Sequence, residues 1–190
     1  VGSSLLYIYA NNLTLLLTLG GALGYACVYT LYLKHATSQN IVIGGLYGAL
    51  PPLLGWTALS NHIEPHALLL PLIIFVWTPP HFWVLAIDRV SDYKAAGLPM
   101  LPVTHGVKFT ACFVLLYNIL LFPVCLIPYI VGMFSSFYAI VSMILNSLYF
   151  VYNVHVFNER QGSAMRSFKF SIVYLYILFI VMVIDRIAIS

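Results

Sequence analysis

The stretch ALLLPLIIFVWTPPHFWVLAI, residues 67–87, contains no charged residue and is long enough to cross a bilayer as a helix, which takes about 20 apolar residues. Five further apolar runs of similar length occur, at Leu13–Leu33, Ile41–Leu59, Phe109–Val131, Phe134–Val154 and Phe168–Ile187. None of them alternates polar and apolar residues as the strands of a membrane barrel do. The sequence therefore predicts an all-α fold, a polytopic transmembrane bundle with six spans.

The composition agrees with this prediction. Hydrophobic residues make up 62% of the 190 residues and charged residues only 7%, too few charges to cover the surface of a soluble domain. We therefore expect an integral membrane protein that is surrounded by the lipid bilayer and has no nucleic-acid partner. No repeat, low-complexity tract or linker divides the chain, which predicts a single transmembrane domain over residues 1–190.

The first ten residues, VGSSLLYIYA, resemble the end of an earlier helix, with Asn11 and Asn12 as its exit turn. They include neither an initiator methionine nor the basic segment of a signal peptide. We therefore expect the chain to be an N-terminally truncated fragment.

The basic residues predict an orientation in the membrane. If the six spans alternate in direction, the loops after the first, third and fifth spans share one face, and the opposite face carries only Arg186 among the basic residues, together with Glu64. The basic residues of the first face are Lys34, Arg89, Lys94, Lys108, Arg160, Arg166 and Lys169. Because basic loops stay on the cytoplasmic side, we expect this face to be cytoplasmic in a bacterial plasma membrane or matrix-facing in a mitochondrial inner membrane.

A charged segment, DRVSDYK at residues 88–94, follows the stretch quoted above. If the third helix continues through Ser91, the i, i+4 spacing of Asp88 and Asp92 projects both carboxylates from one face. Magnesium typically takes one or two protein carboxylates and completes its shell with water and substrate phosphate oxygens. The cations that suit a diphosphate here are Arg89, Lys94, Lys34 and Lys108. The alternative is that the two acids only pair with Arg89 and Lys94 at a solvated helix end, and the pattern alone leaves both interpretations open.

Two proline pairs lie inside apolar runs. Because proline removes a backbone donor and clashes with the preceding turn, Pro79-Pro80 predicts a break in the third helix, which a membrane tolerates only beside protein or a watery cavity. The stretch around Pro51-Pro52 is rich in glycine, and there we expect close helix packing more than ligand contact. His81 has the chemistry to bind a metal, a porphyrin edge or a proton, although a lone histidine is more often hydrogen-bonded to a neighbouring helix.

Two blocks of the sequence carry a family resemblance: YTLYLKHATSQNIVIGGLYGALPPLLGW at residues 29–56 and WTPPHFWVLAIDRVSDYKAAGLPMLPVTHG at residues 77–106. They resemble the heme-farnesylating branch of the UbiA superfamily of membrane prenyltransferases. The resemblance implies nine helices around a lateral cavity open to lipid, with two aspartate-rich motifs at its polar mouth. Asp88-x-x-x-Asp92 matches the second motif. The first has no counterpart, since no acidic residue precedes Glu64, so the chain would correspond to the C-terminal two-thirds of the family's length.

The resemblance also implies a reaction, in which farnesyl diphosphate, heme B and water give heme O and diphosphate. It implies that Asp88 and Asp92 hold Mg²⁺. The implied catalytic residues are Asp92, Asp88 and Lys94, and the implied substrate-binding residues are Lys34, Arg89, Tyr93 and His81. A downstream heme A synthase or the assembly of a terminal oxidase would be the implied protein partner.

Two other functions remain open from the sequence. Another enzyme of the superfamily, attaching a polyprenyl chain to an aromatic quinone precursor, would share the magnesium site but not the TPPHFW and LPMLPV blocks. A membrane transporter would have broken helices around a site at the midplane. It would need ionisable residues inside the membrane, whereas the charges of this chain gather at the ends of its spans.

Overall fold

A computed structural model describes residues 2–189, and every regular element within that range is helical. The helices are α1 (Gly2–Tyr9), α2 (Asn12–Leu23), α3 (Lys34–Ala36), α4 (Asn40–Gly48), α5 (Pro51–Ser60), α6 (Leu69–Asp88), α7 (Val90–Ala95), α8 (Leu101–Thr104), α9 (Val107–Ile130), α10 (Ser136–Phe157) and α11 (Ser163–Ile189). A π-helical segment, Gly24–Leu33, joins α2 to α3, and a 3₁₀ turn, His66–Leu68, precedes α6. The prediction of an all-α fold is confirmed.

Six helical segments are long and apolar enough to cross a membrane: Asn12–Ala36, Asn40–Ser60, His66–Asp88, Val107–Ile130, Ser136–Phe157 and Ser163–Ala188. They coincide with the six predicted spans and differ from them only by a few residues at each end. The chain forms two compact units whose boundary lies between Phe75 and Val76. Whether the two units make one domain stays a prediction.

In the first unit, Asn11 joins α2 to α5. Its side chain accepts a hydrogen bond from the backbone N–H of Thr14 (2.9 Å) and so caps the N-terminus of α2, where the first N–H groups have no partner within the helix. Its amide nitrogen donates to the carbonyl of Thr57 at the end of α5 (2.7 Å). The hydroxyls of Thr14 and Thr57 lie 2.9 Å apart. Of the turn predicted at Asn11 and Asn12, only Asn11 lies between α1 and α2, because Asn12 already begins α2.

Glycines allow the π-helical segment to lie close to α4. The ring of Tyr29 lies so near Gly44 that a Cβ atom there would be 2.4 Å from it, and a Cβ at Gly24 would be 2.3 Å from the ring of Tyr47. No larger residue fits at either position without displacement of the facing ring. The packing expected of the glycine-rich stretch is therefore what the structure contains at Gly44.

The second unit is organised by α9, α10 and α11, which hold each other through buried polar groups. Tyr138 donates to the carbonyl of Cys125 (2.9 Å), and Tyr174 donates to the side-chain oxygen of Asn146 (3.0 Å). These four residues all lie inside the bundle. Since lipid gives helices little hydrophobic reason to associate, such interhelical bonds and close packing take a larger part in holding a membrane bundle together.

The two proline pairs occupy different positions in their helices. Pro51 and Pro52 occupy the first turn of α5, after α4 has ended at Gly48, where a missing N–H costs nothing. By contrast, α6 runs without interruption through Pro79 and Pro80, so the predicted break in the third helix is wrong. A membrane helix tolerates prolines where protein packs beside them, and Trp77 and His81, on either side of the pair, both bond to Ser171 of α11.

Candidate functional site

The charged segment at residues 88–94 lies where α6 gives way to α7. Arg89 leaves the helical backbone region (φ −110°, ψ 27°), so the helix ends at Asp88 and the condition that it continue through Ser91 is not met. The short helix α7 closes at Gly97, whose φ of 65° favours glycine. There the N–H of Leu98 bonds to the carbonyl of Tyr93 (3.0 Å), as in a Schellman cap.

Asp88 and Asp92 converge on one cation. The Arg89 guanidinium places Nε 3.6 Å from Oδ2 of Asp88 and Nη1 3.4 Å from Oδ2 of Asp92. The side chains of Asp88, Arg89 and Asp92 are 28%, 57% and 65% exposed, and exposed pairs at such distances contribute little to stability. The alternative pairing with Arg89 is thus present, but it is an arrangement that a stronger ligand can displace at small cost.

The donor set of this pair fits a magnesium ion. Two carboxylates approach a common positively charged group at a solvated helix end, and Mg²⁺ needs no more than one or two carboxylates when phosphate oxygens and water supply the rest. Nowhere in residues 2–189 do three or more His, Cys, Asp or Glu side chains gather as potential metal ligands.

The other predicted cations are distributed differently. Lys94 and Tyr93 follow Asp92 directly on α7, with Lys94 exposed. Lys34 starts α3 in the first unit. Lys108 donates to the carbonyl of Phe157 (2.7 Å) and lies 3.9 Å above the centre of the Phe157 ring, so it caps the C-terminus of α10.

His81 lies two turns before Asp88 on α6, buried between aromatic rings. The ring of Trp77 stacks on it with centroids 4.1 Å apart, and the ring of Phe168 from α11 lies 4.7 Å away. Its Nδ1 atom is 2.6 Å from the hydroxyl of Ser171. The commoner expectation, a hydrogen bond to a neighbouring helix, is therefore what the structure contains.

Sequence reasoning missed Ser171 and the polar side of α11 to which it belongs. The signal was present: the buried residues Ser163, Ser167, Ser171 and Tyr174 repeat at intervals of four, four and three residues, the spacing of one helix face. In an otherwise apolar span, such a face marks the side that turns toward protein.

Six membrane-length helices with an aspartate-bearing charged segment at the end of one of them define a polytopic membrane protein with a candidate site for a cation and a phosphate. The model of the UbiA prenyltransferase family matches residues 1–181, and the chain belongs to this family. No solved structure matches it.

Several curated relatives match almost the whole chain. It is 57% identical over 187 residues to "Protoheme IX farnesyltransferase" of Colwellia psychrerythraea, covering 98% of this chain and 61% of the relative. It is 54% identical over 188 residues to "Protoheme IX farnesyltransferase 2" of Pseudoalteromonas atlantica, covering 98% and 61%. It is also 54% identical over 188 residues to "Protoheme IX farnesyltransferase 1" of Shewanella putrefaciens, covering 98% and 62%. The chain thus spans about three-fifths of the length of these relatives.

Proposed function

We propose that this protein transfers the farnesyl group of farnesyl diphosphate to a vinyl group of heme B, giving heme O. The observation that carries the proposal is the 57% identity, along 98% of the chain, to a relative named for that transfer. The pair Asp88 and Asp92 supports it, because a prenyl diphosphate needs groups that bind and neutralise its leaving end. We further propose that the chain is a single transmembrane prenyltransferase domain, which the one family match over residues 1–181 supports.

The charged segment would bind the diphosphate. Asp88 and Asp92 would hold a magnesium ion, which when bound helps to neutralise the charge on the leaving diphosphate. Arg89, already beside both carboxylates, is released to a phosphate oxygen when its acidic partners turn to another cation. Lys94 and Lys34 would add donors to the diphosphate, and Tyr93 a hydroxyl. Cationic groups fixed at the place where negative charge grows lower the barrier to loss of the diphosphate.

The apolar interior would take the rest of the substrates. Loss of diphosphate leaves positive charge on the allylic carbon, and the faces of aromatic rings attract cations. Trp77 and Phe168, which stack on His81 in the same unit as Asp88, would supply such faces. The farnesyl tail and the porphyrin are apolar enough to reach such a place from the bilayer.

We also propose the orientation and the surroundings of the enzyme. The basic loops would face the cytoplasm of a bacterium, since the relatives named above are bacterial proteins and basic loops stay on the cytoplasmic side. In a mitochondrial inner membrane the same loops would face the matrix. Heme O would pass to a heme A synthase or to a terminal oxidase under assembly.

Pigment analysis tests the proposal. The complete gene would be expressed in a host whose own heme farnesyltransferase has been deleted, and the membrane hemes and quinones would be extracted and identified by mass. We expect heme O to accumulate when the gene is present and to be absent with empty vector. Appearance of a prenylated quinone precursor without heme O would instead establish the quinone alternative.

A further inference from the structure

The imidazole of His81 is covered on both faces, so its chemistry is confined to its edge. Trp77 stacks on one side at 4.1 Å and 18°, and Phe168 is nearly parallel at 4.7 Å and 25°. The residue is only 8% exposed. A histidine held in this way can neither swing out to solvent nor flip its ring without displacing an aromatic neighbour, and its two ring nitrogens keep separate surroundings.

The hydrogen bonds around Ser171 fix which ring nitrogen carries the proton. The Ser171 hydroxyl lies 2.6 Å from Nδ1 of His81 and also 2.6 Å from the carbonyl oxygen of Phe168. The hydroxyl has one proton, and a carbonyl oxygen can only accept. Both contacts are hydrogen bonds only if Ser171 donates to Phe168 and Nδ1 of His81 donates to Ser171. The neutral ring is then the Nδ1–H tautomer, and Nε2 is left with a lone pair.

The contact with Ser171 is made through Nδ1 and leaves this lone pair unused. Trp77, which stacks on His81 from the same helix, is bonded to the same serine, since its Nε1 donates to the Ser171 carbonyl (3.1 Å). Ser171 therefore joins α11 to both sides of the proline pair and sets the proton on His81 at the same time.

His81 also has a defined position relative to Asp88. The two residues are seven positions apart on the unbroken helix α6, which places them on nearly the same face and about 10 Å apart along the axis. An allylic diphosphate held at Asp88 would direct its reacting carbon inward along this face, toward His81.

We propose that His81 is the proton acceptor of the farnesyl transfer, through Nε2, and that Ser171 is a positioning residue that holds it in the Nδ1–H tautomer. This inference rests on the proposed function. In the reaction, the bond between farnesyl C1 and the diphosphate oxygen breaks, and its electron pair leaves with diphosphate. C1 bonds to the outer carbon of the heme vinyl group, and the inner carbon takes the oxygen of a water molecule. That water gives one proton to Nε2 of His81, which later returns it to solvent.

The first test is spectroscopic and needs no activity. With ¹⁵N-labelled histidine in the protein in lipid nanodiscs, we expect His81 to show a pyrrole-type resonance from Nδ1 and a pyridine-type resonance from Nε2. The Ser171→Ala variant should shift the ring toward the Nε2–H tautomer, and Ser171→Thr, which keeps the hydroxyl, should not. The matched control is Ser142→Ala, because Ser142 is equally buried and bonds in the same way to the carbonyl three residues back (2.9 Å). An Nε2–H ring in the unchanged protein would overturn the role of Ser171.

The second test is kinetic. General-base groups typically contribute 10²- to 10⁴-fold, so we expect His81→Gln to lower kcat for heme O formation at least about 100-fold with little change in KM for farnesyl diphosphate. Ser171→Ala should lower kcat about 10-fold, Ser171→Thr should restore it, and Ser142→Ala should leave it unchanged. An unchanged kcat in His81→Gln, measured beside an active parent protein, would overturn this proposal alone. If the parent protein makes no heme O, the proposed function has failed instead.

Discussion

Two acidic regions of the second unit differ in how completely their carboxylates are bonded. Asp88 and Asp92 lie at the surface and share Arg89 at 3.4–3.6 Å. Asp185, near the end of α11, is 2% exposed and accepts hydrogen bonds from both the backbone N–H (2.7 Å) and the hydroxyl of Ser135. Ser135 in turn accepts from the N–H of Phe137 and caps α10. Asp88 and Asp92 are available to a ligand, whereas the carboxylate of Asp185 is already bonded within the protein.

The difference shows what separates a candidate site from a structural charge in this protein. A carboxylate at a helix N-terminus is stabilised by the unpaired N–H groups there and by the helix dipole, and Asp185 has this environment at α10. A buried charge that loses its partners is costly, so Asp185 has little freedom to change them. Asp88 and Asp92 lose little when Arg89 moves away. The comparison predicts that the surface acids control activity and the buried acid controls stability.

The largest effect is expected from Asp92→Asn. Removing one negative charge from the proposed cation site should lower heme O formation at least about 100-fold, which corresponds to about 2.7 kcal/mol in activation free energy. The free energy of unfolding should change by less than about 0.5 kcal/mol, as it does for other surface substitutions. Heme O yield and thermal unfolding of the purified protein measure the two quantities. Glu64→Gln is a suitable control, since Glu64 is another surface acid, paired with His62 at 3.0 Å. Normal activity of Asp92→Asn would remove Asp92 from the site.

Asp185→Asn should show the opposite behaviour. Hydrogen bonds to a charged group contribute about 1.5–3 kcal/mol, and the amide can present only one acceptor to the two donors of Ser135. We expect a loss of about 2 kcal/mol in the free energy of unfolding, measured by denaturation in detergent micelles, with unchanged heme O formation per folded molecule. A fall in specific activity without a fall in stability would contradict the division between the two regions.

Asp88→Asn should be milder than Asp92→Asn. Its side chain is the less exposed of the pair and its contact with Arg89 the longer, so we expect a fall of about 10-fold in heme O formation, equivalent to about 1.4 kcal/mol. The measurement is activity titrated against magnesium, in which the half-saturating concentration should rise. If Asp88→Asn proves more damaging than Asp92→Asn, the two carboxylates have the reverse importance.

The smallest effect is expected from Ser135→Ala. The variant loses the hydroxyl that caps α10 and bonds to Asp185, but its backbone N–H still donates to that carboxylate. Loss of a serine N-cap typically costs about 1 kcal/mol, so the unfolding free energy should fall by about half as much as in Asp185→Asn. A double variant of both residues should lose less than the sum of the two, because the residues share one interaction; strict additivity would show that they act separately.

Sequence alone predicted the spans and the charged segment because both depend on local composition. The length of apolar runs fixes where a chain crosses a bilayer, and charges gather where the runs end. It failed where a distant partner decides the local structure. The proline pair of α6 lies between two residues that bond to Ser171, about 90 residues further along the chain, and the role of Asp185 depends on Ser135, 50 residues before it. The sequence around either partner does not predict that the two residues are in contact.

The π-helical segment Gly24–Leu33 changes what the length of a span means. In a π-helix each hydrogen-bonded ring closes one residue later than in an α-helix, as where the backbone N–H of Lys34 bonds to the carbonyl of Tyr29, five residues back. A π-helix is therefore wider than an α-helix and rises less per residue. The first span uses 25 residues, yet its vertical reach is less than an α-helix of that count would have. Counting residues from the sequence thus overstates the bilayer thickness that this span is built to match.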